Sequence, residues 1–307
     1  MSLRVVFMGS PDFSVPVLLA LHENFTVVGV VTQRDKPRGR GQKISSTPVK
    51  IAADRFGIPV MEPERLNQDV VDAMVEWNPD VIVVAAYGKI LPSKILEMPR
   101  MGCVNLHASL LPLYRGASPI SAAILDGKSF TGVCTMLMDK GMDTGDILLC
   151  REIPIAENDT TGSLHDKLLE PGASLVVDTL RLMIAGEITP IPQDHAKATY
   201  TKLLTKKDGK LDWSRDAEFL SRLVRAMSPW PGAFFVFQEE QVKLSDAQHR
   251  TGKAEPGEIY DIVPDGILVG TGKDLLLLKT VQAPGRKAVS ASDFARGKHL
   301  KRGDFMQ

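Results

Sequence analysis

The sequence predicts an α/β protein: a doubly wound, mostly parallel sheet followed by a small β-barrel. Short apolar runs alternate with amphipathic segments through the first half of the chain, and the texture changes after Gly186. Short strand candidates then follow at close spacing. Residues 3–8, 26–31 and 80–86 have the length and β-branched content of buried strands. Between them, 47–56 and 66–77 carry apolar residues at helical spacing, and Asn78-Pro79 stops the second helix. A strand at 102–106, a helix near 118–125, strands at 132–138 and 146–155, and a long helix over about 163–185 complete the layer. Thr161 or Ser163 would cap that helix, and Pro171-Gly172 should kink or break it.

Pro190, Pro192 and the polar run 193–207 read as a connection between domains. A helix at 216–227 ends at Pro229-Trp230-Pro231-Gly232. Strand candidates follow at 233–237, 241–245, 257–262, 266–270 and 274–281, separated by turn residues. The expected division is a first domain at 1–189, a linker at 190–206 and a second domain at 207–307.

A chain of 307 residues suits two domains, and 44% hydrophobic with 24% charged residues is an ordinary folded composition. Lys+Arg and Asp+Glu are both 37, so no overall field attracts a polyanion and any nucleic-acid contact must come from local patches. Cys103, Cys134 and Cys150 include no C-x-x-C pair and read as small buried hydrophobes, without a disulfide framework or a cysteine zinc site. The six histidines are scattered with no H-E-x-x-H pattern, so no metal is expected. The start is too short an apolar run for a signal peptide, and no stretch approaches a membrane span; a cytoplasmic protein is expected. G-S-P-D-F after the first strand is not G-x-G-x-x-G, and Thr32-Gln33-Arg34 offers no acid for a ribose, which argues against a dinucleotide site.

The most informative stretch is 103–112, C-V-N-L-H-A-S-L-L-P. Its apolar lead-in suggests a strand ending in Asn105 and His107, and residues two apart on a strand share a face. Amide and imidazole would then project together from a strand end, where ligand sites of α/β sheets lie. A second segment, 139–146, holds Asp139, Asp143 and Asp146 in a glycine-bracketed loop between two strands, as in a positioned turn.

N-L-H-A-S-L-L-P followed by M-D-K-G-M-D-T-G-D strongly resembles the folate-dependent formyltransferase family. The likeness extends to F-M-G-S-P-D-F at 7–13, A-Y-G-K-I-L-P at 86–92, L-Y-R-G-A-S-P-I at 113–120 and P-W-P at 229–231, and so covers nearly the whole chain. It implies a Rossmann-like formyltransferase sheet with an OB-like C-terminal barrel, and 10-formyltetrahydrofolate as formyl donor. Asn105, His107 and Asp143 match the family's catalytic trio. Ser109, Leu110, Leu111 and Pro112 match its folate-binding segment, and Tyr87, Gly88, Ile90 and Leu91 the wall beside the pterin.

The residue types suit that chemistry. An amine attacking the formyl carbon gives a tetrahedral adduct with a negative oxygen, to which Asn105 can donate an N–H and His107 a second one. Donors placed for such an oxyanion contribute roughly 3–4 kcal/mol each. Asp143 would orient the imidazole and help remove the amine's proton.

The stretch 34–43 carries Arg34, Lys36, Arg38, Arg40 and Lys43 against the single acid Asp35, and its proline and glycines favour a mobile basic loop. It matches in position the loop by which one branch of the family engages the acceptor end of methionyl initiator tRNA, with Arg40 foremost. Lys206 and Lys207, with Lys202 and Lys210, add cations along the linker leading into the second domain. Arg286, Lys287, Arg296, Lys298, Lys301 and Arg302 add more near its end. A monomer is the family expectation. Two rival acceptors keep the same chemistry, a sugar-nucleotide amine or water in a formyltetrahydrofolate hydrolase. A non-catalytic RNA-binding protein is the rival of another class.

Overall fold

A computed structural model describes residues 2–38 and 43–306, with 36–38 and 43–44 described by backbone alone. In chain order the elements are β1 Arg4–Gly9, α1 Val15–Asn24, β2 Thr26–Val31, β3 Lys36–Arg38, β4 Lys43–Ser45, α2 Pro48–Arg55, β5 Val60–Met61 and α3 Gln68–Glu76. Next come β6 Val81–Ala85, α4 Ser93–Leu96, β7 Cys103–His107, β8 Arg115–Gly116, α5 Pro119–Leu125, β9 Phe130–Leu137, β10 Ile147–Pro154, α6 Thr161–Ala185 and β11 Tyr200–Thr201. The remainder are α7 Ala217–Ala226, β12 Ala233–Phe237, β13 Glu240–Arg250, β14 Ile259–Val263, β15 Gly266–Gly270, β16 Leu275–Gln282, β17 Val289–Ser290 and α8 Ala291–Gly297. They fall into two compact units, Met1–Pro119 with Phe130–Pro154 and His165–Thr201, and Ile120–Ser129 with Ile155–Leu164 and Lys202–Gln307. The second unit thus takes in two segments that a linear reading leaves inside the first domain.

The first unit is built on a seven-stranded sheet of order β10-β9-β7-β6-β1-β2-β5. Strands β1, β2, β5, β6 and β7 are parallel, and β9 runs antiparallel to both β7 and β10. The doubly wound, mostly parallel expectation is met. Val5, Val6, Phe7 and Met8 are all buried, as is every residue of β6, because a central parallel strand is covered on both faces and needs no polar alternation. Thr47 caps α2 by accepting from Lys50 N–H, ahead of Pro48 in the first turn, and Asn67 caps α3 in the same way from Val70 N–H. Helix α1, unpredicted from the sequence, buries Val17, Leu18 and Leu21. Its apolar run has no clear period, so periodicity alone does not separate helix from strand there.

Three expectations need correction. Helix α6 is continuous through Pro171, neither broken nor divided into two elements. Packing overrides the local penalty: Leu168, Leu175, Val176 and Leu180 along it are buried. A Cβ at Gly172 would lie 3.0 Å from Leu106 Cδ2, so the glycine lets the helix approach β7 closely. Cys134 and Cys150 form a disulfide, because the antiparallel register of β9 and β10 sets them directly opposite. Only Cys103 among the cysteines is a free thiol; it is buried, and burial pushes it up to about 12. Finally, the flanks of the basic stretch pair as an antiparallel hairpin, β3 with β4, where the sequence suggests a loop.

In the second unit β12, β13, β16, β15 and β14 form an antiparallel sheet, with β17 on β16, consistent with a small barrel. Strand β13 runs well beyond the expected 241–245, since its polar second half pairs with the apolar Leu275–Leu278 of β16. Helix α8 is another element absent from the sequence reading, although Ser290 followed by Asp293 is a capping signal, and Ser290 does accept from Asp293 N–H. At the unit's start Lys202, hydrogen-bonded to Asp208 at 2.8 Å, lowers the carboxyl to about 2, helped by Thr205. A depressed carboxylate adds stability above its unfolded value near 4 and loses it as the pH falls through about 2. Asp208→Asn should therefore flatten the loss of stability between pH 4 and pH 2, measured by denaturant unfolding at each pH.

Candidate active site

Strand β7 is buried along its length, and it presents Asn105 and His107 on one face and Leu106, against Gly172 of α6, on the other. Opposite them on β9 stand Met136, paired with Asn105, and Cys134, paired with His107. With Leu111 these form a small apolar cluster under the two polar side chains. Asn105 is 9% exposed, and among the described residues its side-chain amide has no hydrogen-bond partner. A buried amide normally finds partners in the protein.

His107, 6% exposed, has Nε2 2.9 Å from the carbonyl oxygen of Tyr114. A carbonyl only accepts, so Nε2 carries the proton in that contact. Nδ1 then faces Asp143, with Oδ2 at 3.7 Å. That separation exceeds a direct hydrogen bond and lets one water or an incoming amine touch both groups. Asp143 sits at φ 53° in the loop between β9 and β10, and its Oδ2 accepts from Gly116 N–H at 2.7 Å. Asp139 is used otherwise: it accepts from Gly141 N–H and Thr144 hydroxyl and closes its own turn. A Cβ at Gly145 would collide with the Leu137 carbonyl, which makes glycine obligatory where the loop folds back on β9. The two sequence segments, far apart along the chain, therefore meet.

The expected folate segment follows directly on β7. Ser109 is buried, and its hydroxyl donates to Leu113 carbonyl at 2.6 Å, holding Leu110, Leu111 and Pro112 in a turn. The Tyr87 ring points into the core beside Met74, Leu91 and Ile95, and burial pushes its phenol up to about 12. What Tyr87 offers at the surface is its backbone, whose carbonyl accepts from Gln33 side-chain N–H at 2.7 Å. Gly88 at φ 78° turns the chain outward, and Ile90, 87% exposed, is an apolar side chain held in water. A separate cavity of about 270 Å³ opens beyond β1, β2 and β6, lined by Ser10, Gln33, Arg34, Ser45, Thr47 and Ala86. It lies where the strand order reverses between β1 and β6, the crevice in which doubly wound sheets bind ligands.

Of the basic residues, Arg34 is exposed and bridges Glu64 at 2.9 Å, so its charge is already partnered. Lys36 and Arg38 lie in β3 and Lys43 in β4, by backbone alone; Arg40 lies outside the described residues. Lys206 and Lys207 are exposed on a 3-10 turn of the second unit. Sequence reasoning passes over the groups that hold the trio in place. Tyr114 and Gly116 act through their backbones, and Arg115 appears only inside the L-Y-R-G-A-S-P-I likeness. Gln193 stands in a stretch that reads as linker and carries no local signal. Among the described residues no cluster of three His, Cys, Asp or Glu could hold a metal, and no helix is long and apolar enough to cross a membrane.

Residues 3–180 match the family model for formyl transferase, and 203–299 that for the formyl transferase C-terminal domain. The chain is 48% identical to a methionyl-tRNA formyltransferase of Sulfurihydrogenibium sp. (strain YO3AOP1), covering 98% of this chain and 99% of that one. It is similar in structure to an N-formyltransferase from Helicobacter canadensis in complex with folinic acid and dTDP-3-aminofucose. There the TM-score is 0.67 at 17% identity, over 92% of this chain and 99% of that one. Methionyl-tRNA formyltransferase from Clostridium thermocellum gives a TM-score of 0.54 at 18% identity, over 82% and 95%. At these identities the structural likeness speaks for the fold alone.

Proposed function

The chain belongs to the formyl transferase family, and from that premise we infer that it transfers the formyl group of 10-formyltetrahydrofolate to the α-amine of methionyl-tRNA. The observation that carries the chemistry is the unpartnered Asn105 amide, on one strand face with His107, whose Nδ1 looks at Asp143. The amine's lone pair attacks the formyl carbon, and the carbonyl π pair moves onto oxygen. Asn105 N–H donates to that oxyanion from a largely buried strand position, where a hydrogen bond to developing charge is stronger than in water. The new ammonium then gives up a proton, the oxyanion pair re-forms the carbonyl, and the C–N10 bond breaks with its electron pair returning to folate nitrogen, which takes a proton. Proton lost and proton gained balance, so His107 and Asp143 need only pass one along. An α-amine with a reference pKa of about 7.7–8.0 is partly neutral at pH 7, so no strong base is required.

The folate is assigned to the turn at Ser109, Leu110, Leu111 and Pro112 and to the Gly88–Ile90 edge. Lys36, Arg38, Arg40 and Lys43 in the first unit, and Lys206 and Lys207 in the second, are assigned to RNA phosphates. Phosphate contact releases counterions, so tRNA binding should weaken steeply with salt. The test is tetrahydrofolate release from the formyl donor with methionyl-tRNA, a dTDP-amino sugar or water as acceptor. Turnover that depends on methionyl-tRNA, with KM for it rising sharply with salt, is the expected result. Equal release with the amino sugar, or without any amine, would replace the acceptor assigned here.

A further inference from the structure

We propose that Arg115 and Gln193 are a buried positioning unit that holds Asp143 in place for the transfer step; this rests on Asp143 acting in that step. Gln193 is 6% exposed, and its side-chain N–H groups donate to the carbonyls of Asp143 at 2.9 Å and Gly145 at 2.7 Å. Those carbonyls flank the bend in which Asp143 has φ 53°. A non-glycine residue in that region costs about 1–3 kcal/mol and persists only where its surroundings hold it. Gln193 supplies two such restraints.

The other end of Gln193 is equally determined. Its Oε1 accepts from Arg115 Nε at 3.1 Å and Nη2 at 2.6 Å. A guanidinium only donates and a carbonyl only accepts, so the amide has one orientation and no flipped alternative. Arg115 is fully buried, and among the described residues its guanidinium also donates to Tyr200 hydroxyl at 3.0 Å and His195 Nδ1 at 3.2 Å and lies over the Tyr200 ring at 5.7 Å. The acceptors around this cation are thus an amide, a phenol and an imidazole. Burying a cation against neutral acceptors is costly, and the fold keeps it. Its effect is to polarise the Gln193 amide and strengthen both bonds to the Asp143 bend. Arg115 reaching Asp143 directly would tie the carboxylate into an ion pair. With Gln193 interposed, the bend is gripped by its backbone, and the carboxylate stays turned to His107.

The neighbouring backbone completes the unit. Strand β8 pairs in parallel with β11, Arg115 opposite Tyr200 and Gly116 opposite Thr201. Thr199 hydroxyl accepts from Tyr114 N–H at 2.8 Å, and Thr201 hydroxyl donates to Arg115 carbonyl at 3.1 Å. Residues 114–116 are therefore pinned, and they supply both the carbonyl that holds His107 and the N–H that holds the Asp143 carboxylate.

The test is a double-mutant cycle on the full chain, with kcat and both KM values measured for Gln193→Met, Asp143→Asn and the pair. Gln193→Met keeps the volume and removes both donors. Alone it should lower kcat by roughly 10-fold to 100-fold, the scale of a misplaced reacting group, with KM for either substrate changed less than about 3-fold. In the Asp143→Asn background it should cost less than about 2-fold, because there is no carboxylate left to misplace. Full additivity, or an unchanged kcat for Gln193→Met alone, would overturn the positioning role. An unchanged kcat for Asp143→Asn would instead overturn the role of Asp143 itself. If Gln193→Met unfolds, Gln193→Asn, whose amide is one methylene shorter, enters the same cycle with the same expected and overturning results.

Discussion

Asn105→Ala is expected to lower kcat by about 100-fold to 1,000-fold, the loss found when one oxyanion donor is removed. The strand should survive the change, because Cys103 and Val104 stay buried and the Asn105 amide has no partner among the described residues to leave behind. KM for the folate should change little, since the donor acts on charge that develops only after the amine attacks. Steady-state kinetics with both substrates varied, alongside a thermal melt, would check this. A loss expressed wholly in KM, or a kcat within a few-fold of the parent, would remove Asn105 from the reacting centre and take the oxyanion account with it.

Asp143→Asn is expected to lower kcat by roughly 100-fold or more, within the range of general acid–base contributions. Asparagine keeps an oxygen that can accept from Gly116 N–H, and its main chain keeps the carbonyl bonded by Gln193, so the bend should hold. What disappears is the negative charge 3.7 Å from His107 Nδ1. Crystallographic or thermal comparison with the parent would confirm that only charge was removed. If the variant turned over at the parental rate, proton removal from the amine would have to be assigned to His107 or solvent alone.

Much of the first sheet was legible from the chain. Buried parallel strands write themselves as unbroken apolar runs, and β2 falls on its expected residues, as do β12 and β15 in the antiparallel sheet of the second unit. Caps such as Thr47 and Asn67 and stops such as Asn78-Pro79 are local chemistry, so they too can be read locally. Where local chemistry and packing disagree, packing prevails: Pro171 sits inside a continuous α6 because Leu168, Leu175 and Val176 are buried around it. The long β13 follows the same logic, its polar half carried by the leucines of β16.

The sequence by itself determined that Asn105 and His107 share a face, because they are two residues apart on a strand whose side chains repeat every two. It also determined the family, through motifs spread over nearly the whole length. Tertiary structure alone decided that Asp143 faces His107, that Cys134 meets Cys150, and that Gln193 grips the Asp143 bend from fifty positions away. Each of those contacts depends on strand register or on a chain crossing. Register and crossings are set by the sum of burial over many residues, so no short window of sequence contains them.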